Sequence, residues 1–330
     1  MIKDITILGD GGWGTTLAIH LAHKGYNVKL WGPFPDYIRY LDRYRINKKF
    51  LPGIKIPRSI QFSSELAVSL KNSDLAILAL PSKFALKLIQ QLKTLDLSKE
   101  IFLSVIKGIE ENSLKTISQI ITEECGRVPL AVLSGPTIAM EVAQGLPSTA
   151  VIAAKDIKLA KTLQTVFNSP TFRIYTNTDV IGVEMGGSIK NVIAIACGVC
   201  DGLGFGSNTK AAVLTRGLAE MTRLGTAMGA RPQTFFGLSG LGDLVTTCIS
   251  PRSRNRSVGE KLGQGKSIQH ITRNMDMVAE GISTVKALFK LAQQFRVEMP
   301  ITNAVYRIIY KGQKSHQAVT DLMNRKIKSE

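Results

Sequence analysis

Short apolar runs, each closed by small or polar residues, recur through the first half of the chain and then stop. Ile5 to Leu8, Asn27 to Trp31, Ser59 to Phe62, Asp74 to Leu80, Ile101 to Ile106, Leu130 to Leu133, Thr149 to Ala154 and Phe172 to Tyr175 have the length and residue types of strands. Asp74 to Leu80, DLAILAL, is apolar without alternation, as a parallel strand covered on both faces requires. Helical spacing fills the gaps between them, for example Leu17, Leu21 and Ala22 after the first run. Strands alternating with helices predict a mostly parallel sheet. From about Asn177 the period changes to three and four, in Thr209 to Met228 and Ile282 to Phe295, and the tail from Gly312 reads as a short polar helix. That change predicts two domains, 1–177 of α/β type and 178–330 all helical, which suits a chain of 330 residues.

One stretch breaks the apolar rule in an instructive place. Val192 to Val199 is uncharged and reads as a buried helix, and Lys190 and Asn191 stand at its start. A lysine there either reaches solvent along its stem or serves a site, since a buried charge is costly unless paired. A polar island, Gly237 to Leu244, GLSGLGDL, lies between helices, and Ser250-Pro251-Arg252-Ser253-Arg254-Asn255-Arg256 after it reads as a donor-rich helix start suited to a phosphate.

The first strand runs directly into Gly9-Asp10-Gly11-Gly12-Trp13-Gly14 and a helical pattern, which is G-x-G-x-x-G in its required context. Gly9 permits the tight turn, Gly11 lets the backbone approach a pyrophosphate, Gly14 lets helix and strand pack, and the helix N-terminus supplies amides and partial positive charge. With the second strand, Asn27 to Trp31, this closes a βαβ unit, so the first domain is expected to be a Rossmann-like dinucleotide-binding domain. The ribose is ordinarily read by an acid where that second strand stops, but here it ends Trp31-Gly32-Pro33-Phe34-Pro35-Asp36. Asp36 lies about 20 residues past the glycines yet serves equally well as the cap of the next helix, and Arg39 is a possible partner for a 2′-phosphate. NAD and NADP both remain open. Further strands end at Pro81-Ser82 with Phe84 following, at Lys107-Gly108, and at Ser134-Gly135-Pro136-Thr137, and ligands of open α/β sheets bind at that carboxyl edge.

Composition narrows the partners. Lysine and arginine number 42 against 25 acids, for a net charge of +17, of which +9 falls after residue 250. The excess is dispersed rather than blocked, which disfavours a nucleic-acid arm and suits steering of a small anionic substrate. No apolar run reaches the roughly 18 residues of a membrane span, and no targeting segment is visible, so the cytoplasm is the expected location. Cys197 and Cys200 form a C-x-x-C without a second pair, within an apolar helical run, and are expected to be core thiols. No cluster of His, Cys or carboxylates has ligand spacing, so no metal is implied.

Together these pieces point to hydride transfer on a phosphorylated alcohol, with a lysine moving the hydroxyl proton. A lysine near its free pKa of about 10.4 is a poor base, but desolvation and a second cation, Lys107, would tune Lys190.

The chain resembles the soluble, bacterial-type NAD(P)-dependent glycerol-3-phosphate dehydrogenases over nearly its whole length. The motifs are ILGDGGWGTTLA from Ile7, LPSKFA from Leu80, VIKGIE from Val105, LSGPTIAMEVAQGLPS from Leu133, GVEMGGSIKNVIAIACGVCDGLGFGSNTKAA from Gly182, GLSGLGDLVTTC from Gly237 and SRNR from Ser253. The resemblance implies interconversion of sn-glycerol 3-phosphate and dihydroxyacetone phosphate with NAD or NADP, in supply of phospholipid synthesis; the glycine-rich, apolar helices of the second domain make a homodimer the expected assembly. It implies that Lys190 is the proton acceptor and donor, with Asp243 orienting it and also touching substrate. Lys107, Gly135 and Thr137 would contact the substrate, Lys107 also the cofactor; Ser253, Arg254 and Asn255 would bind the substrate's end. Gly9, Gly11, Gly12, Trp13, Gly14, Phe84, Ala139, Arg254, Val278 and Glu280 would meet the cofactor. Two positions depart from the family pattern. Gly12 replaces a common serine, an exchange expected to cost little, and Pro33 stands where relatives place a cation facing the adenosine ribose. The wider group with G-x-x-K-N includes 3-hydroxyacid and 6-phosphogluconate dehydrogenases, so those substrates are the alternative, as is a nucleotide sensor without chemistry.

Overall fold

The computed structural model describes residues 2–95, 100–275, 278–327 and 329. Among the described residues the sheet has eight strands: β1 (Asp4–Leu8), β2 (Asn27–Trp31), β3 (Gln61–Ser63), β4 (Leu75–Leu78), β5 (Ile101–Ser104), β6 (Leu130–Ser134), β7 (Ser148–Ala154) and β8 (Phe172–Asn177). Their order is β3-β2-β1-β4-β5-β6-β7-β8, and every pairing is parallel except β6 with β7. The 3-2-1-4-5-6 portion is the doubly wound dinucleotide-binding order, whose switch point lies between β1 and β4. Strand β4 shows why its sequence does not alternate. Leu75 and Ile77 belong to the core on one face of the sheet, and Ala76 and Leu78 to the core on the other.

The chain divides into two compact units, one of residues 1–107 and 115–183, the other of 108–114 and 184–330. The division falls inside the helix Val180–Gly202, which starts where Asp179 Oδ1 accepts the Gly182 amide at 2.9 Å. This 23-residue helix is long and apolar enough to cross a membrane by composition, yet 89% of its most apolar window is buried within the protein. Its early start corrects the expectation for Lys190. That residue lies mid-helix, not at a helix mouth, because Gly186-Gly187-Ser188 continues the helix despite weak propensity. Gly186 is fixed by packing: a Cβ there would stand 2.6 Å from the Ser239 carbonyl oxygen.

The second unit is helical, with Ser207–Ala227, Asp243–Ile249, Arg254–Gly263, Glu280–Gln294, Pro300–Lys311 and Ser315–Met323 as principal elements. Gly198 and Gly202 of the long helix face the backbone of Arg256 and Glu260, while Gly259 and Gly263 face that of Ile195 and Val199. Small residues four apart on both helices let their backbones touch, and this seats Asn255 beside Asn191. The island Gly237 to Leu244 is largely helical. Leu238–Gly242 forms a π-helical turn that leads directly into the helix Asp243–Ile249. Gly240 enables it, since any side chain there would strike the Phe235 backbone. Asp36, offered as a helix cap, is instead the second residue of the helix Pro35–Tyr44, with Phe34 at the cap position. Pro35 takes the first helical place because its fixed φ and missing N–H suit it.

Candidate active site

In the first unit the glycine loop joins β1 to the helix Gly12–His23. Gly9 has φ +135°, and a Cβ on it would run into the Ala79 carbonyl, so only glycine fits the turn. Gly14 packs against the Gly9 carbonyl. Gly11 differs from both, because a Cβ there meets nothing within 4 Å. No protein neighbour demands that glycine, and the space beside it admits a ligand. No side chain caps the first turn of the helix. Open space over Gly11 and an uncapped helix start are what a pyrophosphate requires, so the loop fits a dinucleotide. Gly12 corrects the expectation that serine would cost little, for its Cβ would stand 2.6 Å from the Phe50 carbonyl oxygen. Trp13 packs its indole edge-on to Phe172 at 6.3 Å, leaving its backbone to the loop. Phe84 closes the turn Ser82–Phe84 after β4 and is half exposed, with the Lys83 ammonium 4.6 Å from its ring centre. Ala139 opens the helix Ala139–Ala143, and its carbonyl accepts from Thr16 Oγ1 at 3.1 Å.

Three further first-unit residues come together. Lys107 donates from Nζ to the Gly135 carbonyl at 2.8 Å and to Thr137 Oγ1 at 3.3 Å, and Thr137 donates to the same carbonyl at 3.2 Å. Gly135 is held at φ +140°, with its missing Cβ only 3.0 Å from Ala150 Cα.

The second unit gathers the others around Lys190. Nζ donates to Asp243 Oδ1 and to Thr247 Oγ1, both at 2.7 Å, and the side chains of Lys190 and Asp243 are 7% and 2% exposed. A buried charge is tolerated when it is paired and hydrogen-bonded, which both contacts supply. Thr247 escaped the sequence reading, although it lies four residues after Asp243 and therefore on the same helical face. Asn191 Oδ1 accepts from Asn255 Nδ2 at 2.9 Å, and Asn255 Oδ1 accepts the Gly281 amide at 3.0 Å, which ties the long helix to Arg254–Gly263 and Glu280–Gln294. Ser253 caps the helix Arg254–Gly263 by accepting from the Arg256 amide at 3.2 Å. Arg254 is exposed and donates to the Val278 carbonyl at 2.7 Å. Glu280 begins the helix Glu280–Gln294, and its carbonyl accepts from Ser283 Oγ at 3.1 Å.

The cysteines are outside this chemistry. Cys197, Cys200 and Cys248 are buried thiols, and burial pushes Cys200 up to about 11, so it stays protonated at neutral pH.

Residues 4–160 match the model of the NAD-dependent glycerol-3-phosphate dehydrogenase N-terminus, and residues 179–320 that of the C-terminus. A glycerol-3-phosphate dehydrogenase [NAD(P)+] of Chlorobium phaeobacteroides is 45% identical over 329 residues, covering 99% of this chain and 98% of that one. Another, of Citrifermentans bemidjiense, is 46% identical over 334 residues, covering 100% and 99%. The crystal structure of glycerol-3-phosphate dehydrogenase from Coxiella burnetii superposes with a TM-score of 0.95 at 37% identity, covering 98% of this chain and 99% of that one.

Proposed function

We propose a reaction from one premise: the chain belongs to the NAD-dependent glycerol-3-phosphate dehydrogenase family. It is an oxidoreductase of the kind that uses NAD or NADP, and its reaction in our reading interconverts sn-glycerol 3-phosphate and dihydroxyacetone phosphate. The observation that carries the chemistry is the buried Lys190 ammonium held by Asp243 and Thr247.

The loop Gly9 to Gly14 would hold the dinucleotide, which when bound would donate hydride in reduction and accept it in oxidation. In reduction, the Nζ–H bond of Lys190 breaks as its proton passes to the carbonyl oxygen and the O–H bond forms. In oxidation, neutral Lys190 takes the hydroxyl proton while the carbon bearing the hydroxyl loses hydride. Asp243 stabilises the ammonium and fixes the direction of Nζ, and Thr247 supplies a second anchor, so the proton is moved at one defined point. Arg254, with Ser253 and Asn255 beside it, takes the substrate's phosphate, and Lys107, Gly135 and Thr137 are assigned to the substrate as well. Phe84, Ala139, Val278 and Glu280 are assigned to the cofactor. The dispersed positive charge favours arrival of the anionic substrate. The same reading includes phospholipid precursor supply, a cytoplasmic location and a homodimer.

The test is the initial rate of dihydroxyacetone phosphate reduction by purified protein with NADH and with NADPH. Rapid oxidation of either supports the reading. Binding of a dinucleotide without oxidation would refute it and favour a 3-hydroxyacid substrate or a sensing role.

A further inference from the structure

Strand β2 ends at Trp31-Gly32-Pro33, with no acid to hold a ribose and, at Pro33, no donor for a 2′-phosphate. In the folded chain that end is not without an acid. A Cβ built on Gly32 would stand 2.5 Å from Asp10 Oδ2 and 2.8 Å from Ile38 Cδ1, so the carboxylate of Asp10, carried on the glycine loop after β1, fills the place beside the end of β2. Gly32 is small because Asp10 is there.

The backbone that carries this carboxylate is held in place. The Asp10 carbonyl accepts from Asn47 Nδ2 at 2.8 Å, and Asn47, fully buried, also donates to Thr15 Oγ1 at 2.7 Å and accepts from the Tyr37 hydroxyl at 2.7 Å. Asp10 Oδ2 itself is buried and has no hydrogen-bond partner among the described residues. An acceptor removed from water without a donor is unfavourable, and burial, the largest influence, raises the carboxyl's pKa above the ordinary value. A ribose presents two hydroxyl donors and would satisfy it.

Nearby cations do not favour a phosphate instead. Arg39 is bound to Asp36 at the protein surface, and Lys49, the cation that acts on Asp10, rests over the Phe50 ring at 5.1 Å from its centre. A 2′-phosphate would face the Asp10 carboxylate across this site, and like charges at that range repel.

We propose that Asp10 reads the adenosine ribose of the cofactor by accepting from its hydroxyls, and that it excludes a 2′-phosphate, which makes this chain selective for NAD over NADP. In this chain the acid beside the end of the second strand comes from the first loop, and glycine stands at the strand's end to admit it. The inference rests on the reading that the loop Gly9 to Gly14 binds a dinucleotide.

The experiment is equilibrium titration of NADH and NADPH, read by fluorescence, into the wild-type chain and into Asp10→Asn, with thermal melts of both. The wild type is expected to hold NADH about tenfold to a hundredfold more tightly than NADPH, the worth of hydrogen bonds to a charged group. Asp10→Asn keeps the shape and removes the charge, so it should lose most of that ratio, with NADH weakened, NADPH strengthened and the melting temperature held. Equal or tighter binding of NADPH by the wild type overturns the proposal, whether or not the variant folds. So does an unchanged ratio in a folded variant. Failure of the wild type to bind either nucleotide overturns the dinucleotide site itself, a result distinct from the other two.

Discussion

Two helix starts in this protein were expected to meet anions, and they are built in opposite ways. The helix Gly12–His23 has no side-chain cap and is preceded by open space at Gly11, so what it offers is backbone. The helix Arg254–Gly263 is capped by Ser253, so its first amides are partly used and what it offers is the Arg254 side chain. The contrast extends to the two units. The first positions its expected ligand by backbone shape, which depends on what glycines leave out. The second is built on a buried side-chain pair, Lys190 with Asp243. Backbone sites break when atoms are added, and side-chain sites when atoms are removed.

The largest expected effect is on the side-chain site. Lys190→Ala should lower kcat by about 10²–10⁴-fold, the usual worth of a positioned acid–base group, while NADH titration stays unchanged. Retained turnover would remove Lys190 from the reaction. Next is Asp243→Ala, which leaves the Lys190 charge buried and unpaired and should destabilise the fold by about 3–5 kcal/mol in denaturant titration. A loss below about 1 kcal/mol would mean that the pair opens to water readily.

The glycine loop should respond to addition. Gly12→Ser places a Cβ against the Phe50 carbonyl and should cost about 1–3 kcal/mol of stability by overpacking. Gly11→Ala sharpens the comparison further: with no protein contact for its methyl, stability should stay within about 0.5 kcal/mol while dinucleotide affinity falls. Equal affinity in calorimetry would show that no ligand approaches Gly11. The smallest effect is Ser253→Ala, a lost cap worth about 1 kcal/mol, visible as a slight drop in melting temperature. A larger effect on KM for the phosphorylated substrate than on stability would show that Ser253 serves the ligand more than the helix.

The sequence was legible where a local pattern has a single physical meaning. All eight strand segments follow from runs of apolar and β-branched residues, and the glycine loop from a strand and helix on either side of its spacing. It misled where tertiary packing overrode local propensity. The uncharged run from Val192 suggests a helix that opens near Lys190, yet the helix already runs from Val180, through Gly186 packed on the Ser239 backbone, which puts Lys190 in its middle. Asp10 was visible only as the variable letter of a motif, and its meaning depends on Gly32, 22 residues away.

By itself, then, the sequence determined the alternation that makes a parallel sheet, the change of period that makes a helical second half, and the family motifs with their lysine. Which residues meet was decided by the tertiary structure: Lys190 with Asp243 and Thr247, Asn191 with Asn255, and Asp10 with the bare end of β2. The physical reason is that periodicity records which side of an element faces the core, one residue at a time, whereas a contact between distant residues depends on how closely two backbones approach. In this chain that approach is set by glycines, whose absent side chains matter only once the neighbour that would have struck them is in place.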